Sequence, residues 1–143
     1  MTVINVIYQS KRGKTRKIAE AIASACNVEA IDIESRHRNV SASDLLFVGM
    51  GTYGGKPDSA ILDYLDQLPA NTIKGAALFS TSATGKDHME LAVNLLEHKG
   101  IQLYPRRLLL KGSFLFLNGG RPNQKDCEMA AAFAEEVVGA FIY

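Results

Sequence analysis

The sequence predicts an α/β fold, an open and mostly parallel sheet with helices on both faces. Two observations carry this expectation. Five short apolar runs alternate along the chain with four amphipathic stretches of helical period, and the runs themselves are nearly continuous in apolar residues. Strands that read this way are buried on both faces, the condition of a parallel sheet covered by helices on each side. In such a sheet ligands bind beyond the carboxyl ends of the strands, where the strand order reverses. The loops after the first, third and fourth predicted strands are therefore expected to be neighbours.

Residues 3–8 (VINVIY) are rich in β-branched side chains and read as a central strand. A polar, basic turn follows at 8–15 (YQSKRGKT), and then Ile18, Ile22, Ala25 and Cys26 recur at helical spacing with Lys17 and Glu20 between them. Residues 28–33 form a second strand, 34–43 (ESRHRNVSAS) a polar surface connection, and 45–50 (LLFVGM) a third, buried strand. GTYGGKPD at 51–58 leads into a helix striped by Ile61, Leu62, Leu65 and Leu68, with Asp58 placed to start it and Pro69 to stop it. The fourth strand is 75–80 (GAALFS). STSATGKD at 80–87 precedes a helix with Met89, Ala92, Val93 and Leu96 on its apolar face and Gly100 at its end. Thr84 and Asp87 have the spacing of a loose capping box. Residues 101–104 and 108–116 read as strand split by Pro105, Arg106 and Arg107. The last helix starts near Gln124 with Asn123 as its cap and Ala130, Phe133, Ala134, Val137, Val138 and Phe141 on one face.

With 143 residues and 47% hydrophobic content, the chain is expected to be a single domain over 1–143 with a core that needs no staples. A formal net charge of +1 provides no global field that would favour nucleic acid. Cys26 and Cys127 have no CxxC partner and no histidine at metal-ligand spacing, so they read as reduced core or near-core thiols, and no metal site is expected. The chain starts directly in strand-like sequence and holds no apolar run of transmembrane length, from which a cytoplasmic protein without membrane contact is expected. His37 and His98 have no constellation around them, and His88 reads as a residue at a helix start. Arg106 and Arg107 read as interruptions of an edge strand.

The turn at 8–15 delivers a strand into a helix start, where unpartnered N–H groups point past the sheet edge and favour an anion. Two nucleotide motifs do not account for it. Gly13-Lys14-Thr15 resembles the end of a Walker loop, but that pattern needs glycine where Tyr8 stands. Gly49, Gly51 and Gly54 satisfy GxGxxG, yet they follow the third strand, Pro57 precedes the helix, and no acid for a ribose follows at the next strand end. A receiver domain shares the strand order but needs acids where Gln9, Ser10 and residues 49–52 stand.

The pattern that remains resembles the flavodoxin family. SKRGKT at 10–15 is similar to the family's phosphate loop, with Ser10, Gly13 and Thr15 in place and Arg12 and Lys14 departing from it. GTYGGKPD resembles the first flavin loop, in which an aromatic ring stacks on the isoalloxazine, and Tyr53 is the matching ring. STSATGKD matches the second flavin loop in position but lacks the aromatic often found there. The resemblance extends in element order along the whole chain, through the GSF and GRPN segments near Gly112 and Gly120. It implies a three-layer α/β/α flavodoxin-like sandwich with a five-stranded parallel sheet of order 2-1-3-4-5. It also implies an FMN cofactor. Ser10, Lys11, Arg12, Gly13, Lys14 and Thr15 would surround the phosphate, Tyr53 would stack, and Thr52, Gly54, Gly55, Ser80, Thr81 and Ser82 would line the ring. Gly54 or Gly55 could let a peptide group reorient near N5.

What the resemblance implies about activity is an electron carrier working between redox partner proteins, a monomer or weak dimer that needs no catalytic residue because the cofactor supplies the chemistry. An FMN-dependent oxidoreductase on the same fold, acting on a quinone or a porphyrinogen, is the alternative, since the missing aromatic leaves one flavin face open. A third reading keeps the fold without the flavin and uses the anion site for another phosphate or for protein contact.

Overall fold

A computed structural model of the chain describes residues 2–35, 39–112 and 119–142. Along β1 (Ile4–Gln9) Val6 and Tyr8 point to one face of the sheet and Ile7 to the other, and all three are buried. The same alternation runs along β3 (Ser43–Tyr53), where Leu45 and Phe47 face one core while Leu46, Val48 and Met50 face the second. A two-residue period whose two faces are both covered appears in the sequence as an unbroken apolar run.

The first core lies beneath α1 (Lys14–Ala25) and α4 (Gln124–Ile142), which pack beside each other and contribute Ile18, Ile22, Phe133 and Val137. The second lies beneath α2 (Ser59–Asp66) and α3 (Glu90–His98), with Ile61, Leu65, Val93 and Leu96. Each such side chain, fully removed from water, is worth about 1.5–3 kcal/mol before the entropy of ordering is charged against it.

All neighbouring strands of the main sheet are parallel. Val6 pairs with Ala30 of β2 (Ala30–Asp32) on one side and with Phe47 of β3 on the other, and Phe47 pairs in turn with Ala77 of β5 (Ile73–Ser82). The last position is shared by two short strands. β6 (Gln102–Leu103) pairs with the start of β5, and β7 (Leu108–Lys111) pairs with its end. A two-residue strand, β4 (Lys56–Pro57), folds back antiparallel on the end of β3. The predicted order 2-1-3-4-5 is therefore the observed one, with the fifth position split in two and the β4 ribbon added.

The split follows from residue chemistry. The Tyr104 N–H donates to the Ala76 carbonyl at 2.8 Å, and the next residue, Pro105, has no N–H to continue the ladder. Arg106 and Arg107 then turn to carboxylates, Arg106 to Glu136 of α4 at 2.9 Å and Arg107 to Asp87 at 2.6 Å. Predicted strand residues beyond 112 and His37 lie outside the described residues. β3 and β5 run further than their apolar stretches, through Tyr53 and Ser82, because the backbone ladder continues beneath polar side chains, as in the pairing of Gly51 with Thr81.

Two predicted caps form as expected. Asp58 Oδ1 accepts from the Ala60 N–H at 2.8 Å, and Asn123 Oδ1 accepts from the Asp126 N–H at 3.0 Å. The expected capping box of Thr84 and Asp87 does not form. Thr84 accepts from Lys86 and Asp87 from Met89, two separate local turns, and α3 begins beyond both at Glu90. Cys26 and Cys127 are free thiols, half-buried against the α1/α4 core, and burial pushes the Cys26 thiol up. Among the described residues, no helix is long and apolar enough to cross a membrane.

Gly49 stands in β3 against the ring of Phe79 on β5, where a Cβ would overlap the ring. The start of α4 depends on Asp126, which is 2% exposed and takes two hydrogen bonds from the Arg121 guanidinium while also accepting from the Asn123 N–H at 2.9 Å. The Arg121 hydrogen bond holds its carboxyl below the usual range. A carboxyl with a depressed folded-state pKa contributes stability that is full above its unfolded value of about 3.9 and lost as pH falls toward the folded value. Asp126→Ala is expected to cost about 1–2 kcal/mol in urea unfolding at neutral pH, and that difference should shrink progressively below about pH 4.

Candidate functional site

The strand order reverses between β1 and β3. The chain leaves β1 for the face that carries α1 and leaves β3 for the face that carries α2, so the two exits diverge and open a cleft at their carboxyl ends. Residues from four segments line a cavity of about 270 Å³ there: Lys11, Arg12 and Lys14 after β1, Thr52, Tyr53 and Gly54 at the end of β3, Thr81, Ser82 and Ala83 at the end of β5, and Gly112 after β7. A larger cavity of about 520 Å³ lies between the end of β2 and α2. Among the described residues its lining includes the carboxylates Glu34 and Asp63, which repel a phosphate.

The β1 loop is held in shape from within. Ser10 Oγ accepts from the Gly13 N–H at 2.9 Å, and Gly13 takes a φ of 80°, a left-handed conformation that glycine adopts without steric cost. The helix then starts at Lys14, with no acidic residue in its first turn to compete for its N-terminal amides. Lys14 rests its stem against Gly112. Thr15 is turned inward: its Oγ1 lies 2.8 Å from Thr81 Oγ1, and both residues are buried. That pair joins the start of α1 to the end of β5.

Lys11 forms the second tie between loops. Its ammonium lies 3.1 Å from Asp58 Oδ2 and 4.8 Å from the centroid of the Tyr53 ring. Asp58 thus caps α2 with one oxygen and anchors Lys11 with the other. The hydrogen bond from Ala60 and then the Lys11 ammonium hold its carboxyl below the usual range, against partial burial. Tyr53 is 37% exposed, and its ring lies back over the backbone of Gly51, where a Cβ would overlap it. Gly51 opens the GTYGGKPD stretch that resembles the first flavin loop, without a role of its own in that resemblance. The signal was its place two residues before the aromatic.

Thr52 is 6% exposed, and its buried Oγ1 has no hydrogen-bond partner among the described residues. Such a hydroxyl costs about 1–3 kcal/mol when left alone, and it sits in the cavity wall. Gly54 and Gly55 have φ of 60° and 81° and form the turn that leads into β4. Gly54 borders the cavity; Gly55 does not. Ser82 Oγ accepts from the Gly85 N–H at 2.9 Å, and Ser80 is buried in β5.

Of the candidate residues, the cavity therefore gathers Lys11, Arg12, Lys14, Thr52, Tyr53, Gly54, Thr81 and Ser82. Ser10, Gly13 and Thr15 stand behind it as the residues that shape the β1 loop, while Gly55 and Ser80 lie outside its lining. Ala83 and Gly112 join it without having been singled out; small residues in loops at the sheet end carry no chemical signature of their own.

The residues the cleft gathers fit a flavin mononucleotide. Three cationic side chains and a helix start suit a phosphate, and an exposed aromatic beside an unpartnered hydroxyl suits a flat ring with polar edges.

Residues 5–100 match the flavodoxin domain family. No curated protein matches the chain significantly in sequence. Among solved structures, a flavodoxin from the domain Archaea superposes with a TM-score of 0.74 at 18% identity, covering 100% of both chains. The Fusobacterium nucleatum flavodoxin bound to flavin mononucleotide superposes at 0.72 with 13% identity over 99% of each chain. The rubredoxin oxygen:oxidoreductase of Desulfovibrio gigas superposes at 0.71 with 15% identity, covering 96% of this chain and 35% of that one.

The two buried hydroxyls are expected to respond oppositely to the same change. Thr81→Val strands the Thr15 hydroxyl and should lower the unfolding free energy of the flavin-free protein by about 1–3 kcal/mol. Thr52→Val removes an orphan and should leave stability unchanged or raise it by up to about 1 kcal/mol, as read from paired urea denaturation curves.

Proposed function

Since the chain belongs to the flavodoxin domain family, we propose that it binds one FMN non-covalently in this cleft and carries electrons between redox partner proteins in the cytoplasm. The observation that supports the reading is the set of residues the cleft gathers, the cations Lys11, Arg12 and Lys14 with Tyr53 and Thr52. When bound, FMN supplies the one- and two-electron redox chemistry. The protein's part is to bind, orient and bias that group.

Residues 10–15 hold the phosphate. Gly13 lets the backbone approach, the first-turn amides of α1 point at the anion, and Arg12 and Lys14 add charge. Ser10 and Thr15 hold the loop's shape through Gly13 and Thr81. Tyr53 presents its ring for stacking, with Lys11 tying it to the phosphate side. Thr52, Gly54, Thr81 and Ser82 line the cleft and would supply hydroxyls and backbone groups along the ring, while Gly55 and Ser80 lie outside the lining. A turnover enzyme on the same fold is the second reading. It is favoured by the loop after β5, where residues 82–85 are small or hydroxylated and none is aromatic. Steady-state reduction of quinones with NAD(P)H would establish it.

The purified protein is expected to be yellow, or to take up one equivalent of added FMN, and to release free FMN on denaturation. A colourless protein that takes up no FMN overturns the reading. Arg12→Thr with Lys14→Asn should weaken FMN binding by about tenfold in a fluorescence-quenching titration, since each exposed cation contributes up to about 1 kcal/mol. Unchanged affinity would assign those cations to something other than the phosphate.

Cations at the cleft also favour whichever state of the flavin carries more negative charge. The midpoint potential of the fully reduced couple is therefore expected to be less negative than in flavodoxins with acidic clefts. A spectroelectrochemical titration giving a value as negative as theirs would count against this.

A further inference from the structure

Folding gives this nearly neutral chain a charged pole. At the carboxyl ends of β1, β2, β3, β5 and β7, over residues 10–15, 34, 54–58, 83–89 and 111–112, stand six cationic side chains, Lys11, Arg12, Lys14, Lys56, Lys86 and Lys111, against three carboxylates, Glu34, Asp58 and Asp87. Six less three makes this rim +3, while the whole chain carries +1, so the remainder carries −2. Asp58 and Asp87 are engaged in ion pairs, Asp58 with Lys11 at 3.1 Å and Asp87 with Arg107 at 2.6 Å. A bound phosphate monoester, carrying about −2 near neutral pH, leaves the rim positive.

Lys56, Lys86 and Lys111 are exposed on three different segments. At the cleft among them stands Tyr53, one of three large hydrophobic side chains exposed among the described residues, with Leu91 and Met129. An exposed aromatic within a rim of one charge sign has the anatomy of a docking surface, the aromatic supplying contact area and the rim steering a partner of opposite sign.

We propose that this rim docks a protein that presents an acidic face to the cleft. The inference rests on the electron-carrier reading in one respect, that docking there would bring the partner to the flavin. A protein is favoured over nucleic acid because the cations are spread over separate loops around an aromatic, not along a helix or stripe, and the chain as a whole is almost neutral.

The test has a flavin arm and a flavin-free arm. FMN-loaded protein, reduced with dithionite, is mixed in stopped flow with ferricyanide, a trianion, or with hexaammineruthenium(III), a trication, each taking one electron. Ionic strength is raised from about 0.01 to about 0.1 M, which shortens the Debye length from about 30 to about 10 Å. The ferricyanide rate constant is expected to fall at least about threefold over that range and the trication's not to fall. The triple variant Lys56→Gln, Lys86→Gln, Lys111→Gln should lose most of this salt dependence with FMN affinity unchanged. A rate that falls with salt for the trication, or an unaltered salt dependence in the variant, overturns the proposal.

In the flavin-free arm, fluorescence anisotropy of a labelled polyglutamate peptide at low salt should show binding that the triple variant loses. No binding overturns the proposal whether or not FMN binds, whereas FMN failing to bind while the peptide binds removes only the electron-carrier reading. Tighter binding of duplex DNA than of peptide of equal charge would assign the surface to nucleic acid and overturn it as well.

Discussion

A parallel sheet covered on both faces has no free surface except at its ends. Every side chain of β1 from Val6 to Gln9 and of β3 from Leu45 to Thr52 is buried, so the strands spend their length on the two cores and can offer chemistry only where they emerge. The reversal of strand order between β1 and β3 then decides where the emerging loops part. The cleft follows from that topology before any particular loop residue is considered, and the loops need only supply the chemistry that fills it.

The loops are not independent of one another. Thr15 and Thr81 share a buried hydroxyl pair that joins the first helix to the fourth main strand, and Lys11 joins the first loop to the third through Asp58 and the Tyr53 ring. These ties differ in kind. The hydroxyl pair is sealed from water and held by the penalty of leaving either oxygen alone, whereas the Lys11 ammonium is largely exposed and its pair with the half-buried Asp58 is open to solvent screening. The interior of the site is therefore rigidly specified, while its rim is held by contacts that salt can weaken. Thr52 stands apart from both: like Gln9 Oε1, its Oγ1 is a buried side-chain oxygen without a partner among the described residues.

Charge shows how folding redistributes what composition averages away. The net charge of +1 indicated no preference for a partner, yet among the described residues the segments at one end of the sheet carry six of the cations and three carboxylates. The acids lie mainly on the helices, among them Glu20, Glu97 and Glu136. The field a partner meets is that of the end it approaches, not of the sum.

The sequence by itself determined the fold class, the helix caps at Asp58 and Asn123, the break at Pro105 and the basic, glycine-containing turn at 10–15. Those features are local: apolar period, a missing N–H and short-range side-chain hydrogen bonds act over a few residues. Only the tertiary structure decided that β3 and β5 continue through Tyr53 and Ser82, since a backbone ladder depends on its neighbour and not on its own side chains. It also decided that Thr15 turns inward to Thr81, that Gly51 makes room for Tyr53, and that Ala83 and Gly112 border the cleft. Each of these joins residues far apart in the chain or depends on the space left by a neighbour, and residue type and spacing do not encode such contacts.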